Sequence, residues 1–278
     1  MDYLSLNEIR DMMQSHGLRP DKSLGQHFLV DGNIVRLIID EGGGSLALDI
    51  GAGPGVLTLP LSHRYSQVVA VEIDERLAPI LAEVLDDRPN VEVIFADATA
   101  IEWEDVLGGE PVSVYGNLPY GVASPIMTHL FTSAVNWVRA RFMLQREVAE
   151  RLTAEPGTKA YGPLTLAVKY HADVTLFRRV SPGCFYPPPD VDSAIVDLTP
   201  RSQPPVSFSC FMQAVHAAFA LRRKTLRNSL AGSRELPLER DDVQDVLEAA
   251  ELDAGLRGEA LEFEDFVRLA LAIQAHPR

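Results

Sequence analysis

The chain has 278 residues, of which 46% are hydrophobic and 23% charged, and its formal net charge is −14. This composition is ordinary for a soluble globular protein, and the length allows one large domain or a medium domain with a small one. The acidic balance argues against non-specific nucleic-acid binding by the bulk surface, and no apolar run approaches the ~20 residues of a membrane span. Two cysteines, Cys184 and Cys210, exclude a disulfide framework and a thiolate metal cluster. The N-terminus lacks the basic and then apolar order of a signal peptide, so we expect a cytoplasmic protein.

Strand and helix patterns alternate through the first two thirds of the chain. An amphipathic helix is expected at 5–16 and a glycine-containing loop at 22–30. Further helices are predicted at 33–40, 55–64, 77–85, 125–134 and 147–154. Apolar strands are predicted at 46–50, 68–73, 91–95, 112–115, 140–144, 174–180 and 194–198. Continuous apolar strands that alternate with amphipathic helices indicate an α/β fold with a parallel sheet covered on both faces.

A domain boundary is predicted at Arg201–Pro205, where two prolines and small polar residues end the strand pattern. Beyond this joint the pattern is entirely helical, with helices expected at 207–220, 223–231, 240–251 and 261–275. We therefore predict one domain over residues 1–201 and a small helical domain over residues 202–278.

Three acidic residues follow successive predicted strands. Asp49 begins a glycine loop that ends at Gly55, whereas Glu72 and Asp97 end the next two strands. The loop alone is weak support for a nucleotide site, and Val56 puts the third glycine out of register for a dinucleotide fingerprint, which disfavours an oxidoreductase. Taken singly, each acid is better explained as a helix cap or a solvated loop residue. Together they favour a nucleoside that carries positive charge, such as S-adenosylmethionine.

A strand that ends in Asn117-Leu-Pro-Tyr120 predicts a second binding element. Open α/β sheets bind ligands at the carboxyl ends of their strands, and Pro119 restricts the backbone on both sides of its own nitrogen. An amide oxygen, a fixed carbonyl and an aromatic face suit a flat substrate with an exocyclic amine, such as adenine. A strand-to-helix loop with a buried tyrosine explains the tetrapeptide equally well.

One stretch of the chain is basic although the whole is acidic. Residues 202–232 contain no acid and four cations, Arg222, Arg223, Lys224 and Arg227, whereas residues 233–278 carry twelve acids and five bases. A local basic stripe allows a polyanion to be placed at one spot. The alternative is a solvated helix face.

These stretches together resemble the ribosomal RNA adenine dimethyltransferases, which methylate two adjacent adenosines near the 3′ end of small-subunit ribosomal RNA. The matching segments are 24–29, 49–58, 71–74, 97–98, 117–120, 145–151, 185–193 and 222–228. The resemblance implies a Rossmann-like, seven-stranded, S-adenosylmethionine-dependent methyltransferase domain with a small C-terminal helical domain that helps to bind RNA. It implies a cytoplasmic monomer that acts on small-subunit rRNA or the immature small subunit, without a membrane or a metal.

The resemblance also implies roles for individual residues. Those expected to hold S-adenosylmethionine are Gln26, His27, Leu29, Gly51, Glu72, Ile73, Asp97, Ala98 and Asn117. Those expected to hold or stack on the target base are Asn117, Leu118, Tyr120 and Phe185, and those expected to contact RNA are Arg222, Arg223, Lys224 and Arg227.

The chain departs from the usual pattern of this family at two positions. His27 stands where the family usually has asparagine, and Asp190 stands where it often has lysine. An imidazole can still donate a hydrogen bond, whereas the absence of a cation at 190 leaves Arg222–Arg227 as the main expected RNA contacts. Two other functions stay open: methylation of large-subunit RNA of the antibiotic-resistance type, and a ribosome-assembly or transcription factor that binds without turnover.

Overall fold

The computed structural model describes residues 3–39, 42–119, 121–221, 223–236 and 240–276. Two predicted site residues, Tyr120 and Arg222, therefore lie outside the described residues. The chain divides into two compact units. The first comprises Met1–Ala149 and Val174–Pro200, and the second comprises Glu150–Asp173 and Arg201–Arg278.

A seven-stranded sheet forms the centre of the first unit, in the order β4-β3-β2-β5-β6-β9-β7, and β1 pairs separately with β8. The strands are β1 (Phe28–Leu29), β2 (Gly44–Ile50), β3 (Tyr65–Glu72), β4 (Val91–Phe95), β5 (Val112–Asn117), β6 (Trp137–Gln145), β7 (Ala172–Val180), β8 (Phe185–Tyr186) and β9 (Ser193–Pro200). This sheet confirms the predicted Rossmann-like architecture. Its central strands are buried apolar runs, the pattern of a parallel sheet that is covered on both faces.

Twelve α-helices are present among the described residues. They are α1 (Leu6–Ser15), α2 (Gly32–Ile39), α3 (Thr58–Ser62), α4 (Ala78–Val84), α5 (Trp103–Leu107), α6 (Ala123–Thr132), α7 (Arg146–Leu152), α8 (Pro163–Lys169), α9 (Phe208–Phe219), α10 (Leu226–Ala231), α11 (Arg240–Ala249) and α12 (Phe263–Ala275). Within the described part of the chain, no helix has the length and apolarity that a membrane span requires.

The sheet differs from the prediction in strand direction. Strands β2 to β6 are parallel to their neighbours, but β9 runs antiparallel to β6, with Ala140 opposite Leu198. A parallel crossover needs a long connection, usually with a helix. Residues 181–192, which join β7 to β9, contain only a short 3-10 turn and the strand β8. This connection contains no crossover helix. The antiparallel β9 makes the sheet mixed.

The helix predicted at 55–64 is shorter in the structure, where α3 begins at Thr58. Gly53 and Gly55 have φ angles of +57° and +90°, which are incompatible with a right-handed helix. The glycine loop thus extends three residues further than the hydrophobic pattern indicates. Two short helices, α5 and α8, have no counterpart among the predicted elements.

The second unit has a helical core, as predicted, but it includes a segment that the sequence pattern assigns to the first domain. Within residues 150–173, the Tyr161 hydroxyl donates to the Leu261 carbonyl at 2.8 Å and the Tyr170 hydroxyl donates to the Val206 carbonyl at 2.6 Å. Both rings are buried in the same apolar cluster as α9 and α12. Burial of these two aromatic side chains explains why the segment groups with the C-terminal helices.

Candidate active site

A cleft of about 420 Å³ lies at the carboxyl ends of β2, β3, β4 and β5 in the first unit. Each strand end contributes a pair of lining residues: Ile50 and Gly51, Glu72 and Ile73, Asp97 and Ala98, and Asn117 and Leu118. The loop at residues 22–28, which contains Gln26 and His27, forms a further wall. The position is the one at which open α/β sheets bind ligands. The structure therefore brings together eight of the nine residues predicted to hold the cofactor.

Glu72 is almost fully buried and holds the glycine loop against the end of β3. Its Oε2 accepts from the Gly53 backbone N–H at 2.7 Å, and its Oε1 accepts from the N–H groups of Ile73 and Asp74 at 2.9 Å each. Burial raises the pKa of this carboxyl, opposed by these hydrogen bonds. A carboxylate has about four acceptor sites, so three internal bonds leave capacity for about one ligand hydroxyl.

Asp49 lies behind the cleft and does not line it. The carboxyl group is fully buried; the Thr58 hydroxyl donates to Oδ2 at 2.6 Å, and Oδ1 has no hydrogen-bond partner among the described residues. Burial, with a smaller contribution from the negative charge of Glu72, raises the pKa of Asp49 to about 7. A protonated Asp49 is thus the main form below neutral pH.

We expect the stability of the folded chain to depend on this proton. The pKa is about 7 in the folded chain against an ordinary value of 3.8, so the folded state retains a proton that the unfolded state has released between these pH values. Stability contributed by the proton then declines as pH rises from about 4 to 7. The decline is ~4 kcal/mol at 1.36 kcal/mol per pH unit.

Denaturant unfolding of the Asp49→Asn variant at several pH values checks this expectation. The variant should lack the decline, so its stability relative to the wild type should rise between pH 5 and pH 8. The same exchange at the exposed Asp86 is the control and should leave the pH dependence unchanged. Parallel pH profiles for wild type and Asp49→Asn would contradict the assignment.

Asn117 connects the end of β5 to the wall formed by residues 22–28. Its Nδ2 donates to the His27 carbonyl at 2.8 Å. A carbonyl can only accept, so this bond fixes which end of the amide is nitrogen. The side-chain oxygen is consequently the end that remains for a ligand in the cleft. His27 stands where the family usually has asparagine, and its side chain also has a hydrogen-bond partner. The His27 Nδ1 donates to the Pro187 carbonyl at 2.8 Å.

Beyond the end of β4, the cleft combines a carboxylate held by hydrogen bonds, that of Asp97, with exposed apolar side chains. Asp97 Oδ1 accepts from the backbone N–H and the hydroxyl of Thr99 at 2.8 and 2.7 Å, and these bonds hold the pKa of Asp97 below its usual value. Ile73 is 51% exposed and Val122 is 40% exposed, although both are large and apolar. Exposed apolar side chains that line a cleft favour a flat, partly apolar ligand.

Several lining residues were not predicted from the sequence, among them Val122 and Ile126. These two lie four positions apart around the start of α6, on one face of the helix. Their apolar i, i+4 spacing, directly after the Asn117 loop, is a signal that could have identified them.

Two predicted site residues lie elsewhere. Leu29 is 1% exposed and Phe185 is 4% exposed; they are opposite one another in the β1–β8 pair and belong to the apolar core. Neither lines the cleft. The reason is the antiparallel pairing of these two short strands, which are distant in sequence and place both side chains in the core. In the second unit, Arg223, Lys224 and Arg227 are exposed near the start of α10.

The cleft suits S-adenosylmethionine by the chemistry of its walls. A Cβ atom on Gly53 would lie 3.2 Å from the Phe28 ring, so glycine keeps the loop open at this point. The carboxylates of Glu72 and Asp97, together with the exposed Ile73, match hydroxyl, amino and ring groups of a positively charged nucleoside. The fold and the cleft together define a Rossmann-like methyltransferase.

Comparison with known proteins identifies the family. The profile of the family described as ribosomal RNA adenine dimethylase matches residues 17–264. The chain belongs to this family and is an S-adenosylmethionine-dependent rRNA adenine dimethyltransferase.

Similar proteins agree with this assignment over nearly the full length of the chain. The ribosomal RNA small subunit methyltransferase A of Pelotomaculum thermopropionicum is 41% identical, with 94% of each chain covered. The protein of the same name from Geobacillus thermodenitrificans is 40% identical, with 98% of this chain and 97% of the relative covered.

Two solved structures share the fold. A dimethyladenosine transferase from Plasmodium falciparum is 27% identical with a TM-score of 0.76, and the similarity covers 87% of this chain and 96% of that structure. The 23S rRNA methyltransferase ErmE is 28% identical with a TM-score of 0.66, and the similarity covers 89% of this chain and 99% of that structure.

Proposed function

We propose that the chain dimethylates the N6 amines of two adjacent adenosines in a hairpin near the 3′ end of small-subunit rRNA. Its partner is then the rRNA of an immature small ribosomal subunit. Relatives at 40–41% identity that carry a small-subunit name support this choice of substrate. The observation that carries the chemistry is the orientation of Asn117, whose amide nitrogen is bound to the His27 carbonyl at 2.8 Å.

S-adenosylmethionine would supply a methyl group already activated on a sulfonium. Glu72 would accept from the ribose, and Asp97 with the Ala98 backbone would bind the adenine of the cofactor. Ile73 would cover one face of that ring, because it is exposed and lines the cleft together with both acids. Gln26 would act on the cofactor through the loop that it holds, since both ends of its amide are bound within the protein.

The target adenine must leave its stack before it can enter such a cleft, at the expense of a few kcal/mol. The oxygen of Asn117 and the carbonyl of Leu118 would accept the two N6 hydrogens and direct the nitrogen lone pair at the methyl group. Tyr120 would stack on the base. Phe185, at 4% exposure, offers no face to a base in this conformation. The stacking role in this proposal therefore rests on Tyr120.

Alignment is the main task left to the protein, because the lone pair of an N6 amine is delocalised and the transferred group is already activated. Well-oriented reactants lower a barrier by ~7–11 kcal/mol. As positive charge develops on N6, the acceptor oxygens stabilise it more than they stabilise the neutral amine. No general base is needed, because the N6 proton becomes acidic only after attack. In the second methylation N6 has a single hydrogen, so only one of the two oxygens accepts from it.

Tritium transfer from labelled S-adenosylmethionine to purified immature small subunits tests the proposal. We expect up to four methyl groups per subunit, all on two neighbouring adenosines near the 3′ end. Label on other nucleotides would exclude this substrate. A failure of transfer with binding retained would favour a non-catalytic assembly factor.

The second candidate is methylation of large-subunit RNA. The similarity to the 23S rRNA methyltransferase ErmE at 28% identity is the observation in its favour. The higher identity to small-subunit relatives makes it the weaker choice. The same labelling on isolated large subunits separates the two candidates, because only the large-subunit enzyme would label them.

RNA contact by the basic stripe gives a further prediction. Replacing Arg223, Lys224 and Arg227 together by glutamine should weaken RNA binding and reduce the slope of log affinity against log salt by about 1 for each phosphate that is no longer neutralised. All three side chains are exposed. Filter binding over a range of salt concentrations measures the slope.

The control makes an equal change of charge elsewhere, by replacing the exposed Arg10, Arg19 and Arg36 with glutamine. An unaltered slope in the first variant, or the same change in both, would assign the stripe to a solvated helix face.

A further inference from the structure

One wall of the cleft, residues 22–28, is a loop that is held at its two ends. At the end near β1, its attachments are the β1–β8 pair and the bond from Asn117 to the His27 carbonyl. A second attachment, made through Gln26 and through Asp21 just before the loop, joins it to the segment that follows β3.

The second attachment is a closed ring of four residues, linked by side-chain bonds and by one backbone N–H group. Gln26 donates through Nε2 to Asp74 Oδ2 at 2.8 Å, and its Oε1 accepts from the Asp21 backbone N–H at 2.7 Å. Arg76 donates through Nε to Asp74 Oδ1 and through Nη2 to Asp74 Oδ2, both at 2.7 Å. The same Nη2 donates to Asp21 Oδ2 at 3.0 Å, which closes the ring.

Asp74 is the centre of the ring. Its side chain is only 5% exposed, and the guanidinium of Arg76 holds the pKa of Asp74 below its usual value despite burial. Two-pronged arginine–carboxylate pairs fix orientation as well as distance. Because Asp74 follows directly on Glu72 and Ile73, the ring links the loop to the end of β3, which also lines the cleft.

We infer that Arg76 and Asp74 are positioning residues for the cofactor. Neither lines the cleft, so they act through Gln26 and Asp21, by holding residues 22–28 in the binding conformation before the cofactor arrives. Loss of the ring lets the loop populate other conformations, and the apparent affinity falls by the fraction that stays competent. The inference rests on the proposed cofactor site.

Two variants and a control test the inference in the full-length protein. Arg76→Ala opens the ring by removing its bonds to Asp74 and Asp21. Arg76→Lys keeps the charge but not the two-pronged geometry, and Arg268→Ala is the control. Arg268 is exposed to 45%, close to the 49% of Arg76, and it makes an equally short bond to a carboxylate, Asp265, in the second unit. Neither arginine is in the core, so all three variants should fold.

The first readout needs no cofactor. Hydrogen exchange at the amides of residues 22–28 should accelerate at least tenfold in Arg76→Ala, less in Arg76→Lys and not in Arg268→Ala. The second readout is calorimetry with S-adenosylhomocysteine, the demethylated cofactor, whose Kd should rise by about 10- to 100-fold if 1–10% of the loop stays competent. At saturating cofactor, kcat should change by less than threefold.

Unchanged exchange in Arg76→Ala would overturn the inference, as would a fall in kcat without a change in Kd. If the wild type itself failed to bind S-adenosylhomocysteine, the proposed cofactor site would be wrong. The exchange experiment would still decide whether the ring orders the loop, so the two failures are distinguishable.

Discussion

Replacing Asn117 by alanine is expected to lower methyl transfer by one to three orders of magnitude, the range for loss of one oriented polar group in an active site. The amide oxygen is the proposed acceptor for N6, and its direction is fixed because the nitrogen donates to the His27 carbonyl. Single-turnover transfer from labelled cofactor measures the chemical step. Cofactor affinity, measured by calorimetry, should change much less, because the ring of Asp21, Gln26, Asp74 and Arg76 still holds the loop in its binding conformation.

A second variant separates the two hydrogen bonds of Asn117. Asn117→Asp keeps an oxygen for N6 but removes the donor to the His27 carbonyl. If acceptance from N6 is the main role, Asn117→Asp should be faster than Asn117→Ala. Equal losses of transfer in the two variants, with equal losses of cofactor binding, would move Asn117 from the substrate role to the support of the loop.

The sheet and the strand-end acids could be predicted because their signal is local. Buried strands such as Leu46–Ile50 are continuous apolar runs, and the carboxyl ends of parallel neighbours share one edge of the sheet. Glu72 ends one such run and Asp97 lies two positions beyond another, so topology brings both to one edge of the sheet. The same logic places Asn117 there. Asp49, near the end of β2, shows that the strand end alone is not enough, because its carboxyl group lies behind the cleft.

The details that sequence could not provide depend on contacts between distant residues. Phe185 is an aromatic residue in a motif segment, but its burial follows from pairing with Leu29, which is 156 positions earlier in the chain. Grouping of Tyr161 with the C-terminal helices depends on its bond to the Leu261 carbonyl. No periodicity in the sequence reports either contact.

The three internal bonds of Glu72 change what its removal should do. From the sequence, Glu72 is a ribose acceptor and nothing more. In the structure it also satisfies the backbone N–H groups of Gly53, Ile73 and Asp74. Glu72→Ala is therefore expected to weaken the cofactor site in two ways, through loss of the acceptor and through release of the glycine loop.

The expected loss of cofactor affinity is about 10- to 100-fold, since a hydrogen bond to a charged group contributes ~1.5–3 kcal/mol and tenfold corresponds to 1.4 kcal/mol. Stability should fall by ~1–3 kcal/mol for each buried amide that is left unpaired. Calorimetry with S-adenosylhomocysteine and urea unfolding measure the two effects. An unchanged affinity would refute the ribose assignment.

Glu72→Gln divides the two effects, because its carbonyl oxygen can still accept from Ile73 and Asp74 while its NH2 group faces the Gly53 N–H. Two of the three backbone bonds then persist, so this variant should be more stable than Glu72→Ala. The affinity of this variant for the cofactor should still fall, because an NH2 group, which can only donate, replaces the acceptor Oε2 on the Gly53 side. If Gln restored both stability and affinity, the negative charge of Glu72 would have no part in binding, and the glycine loop alone would form that side of the site.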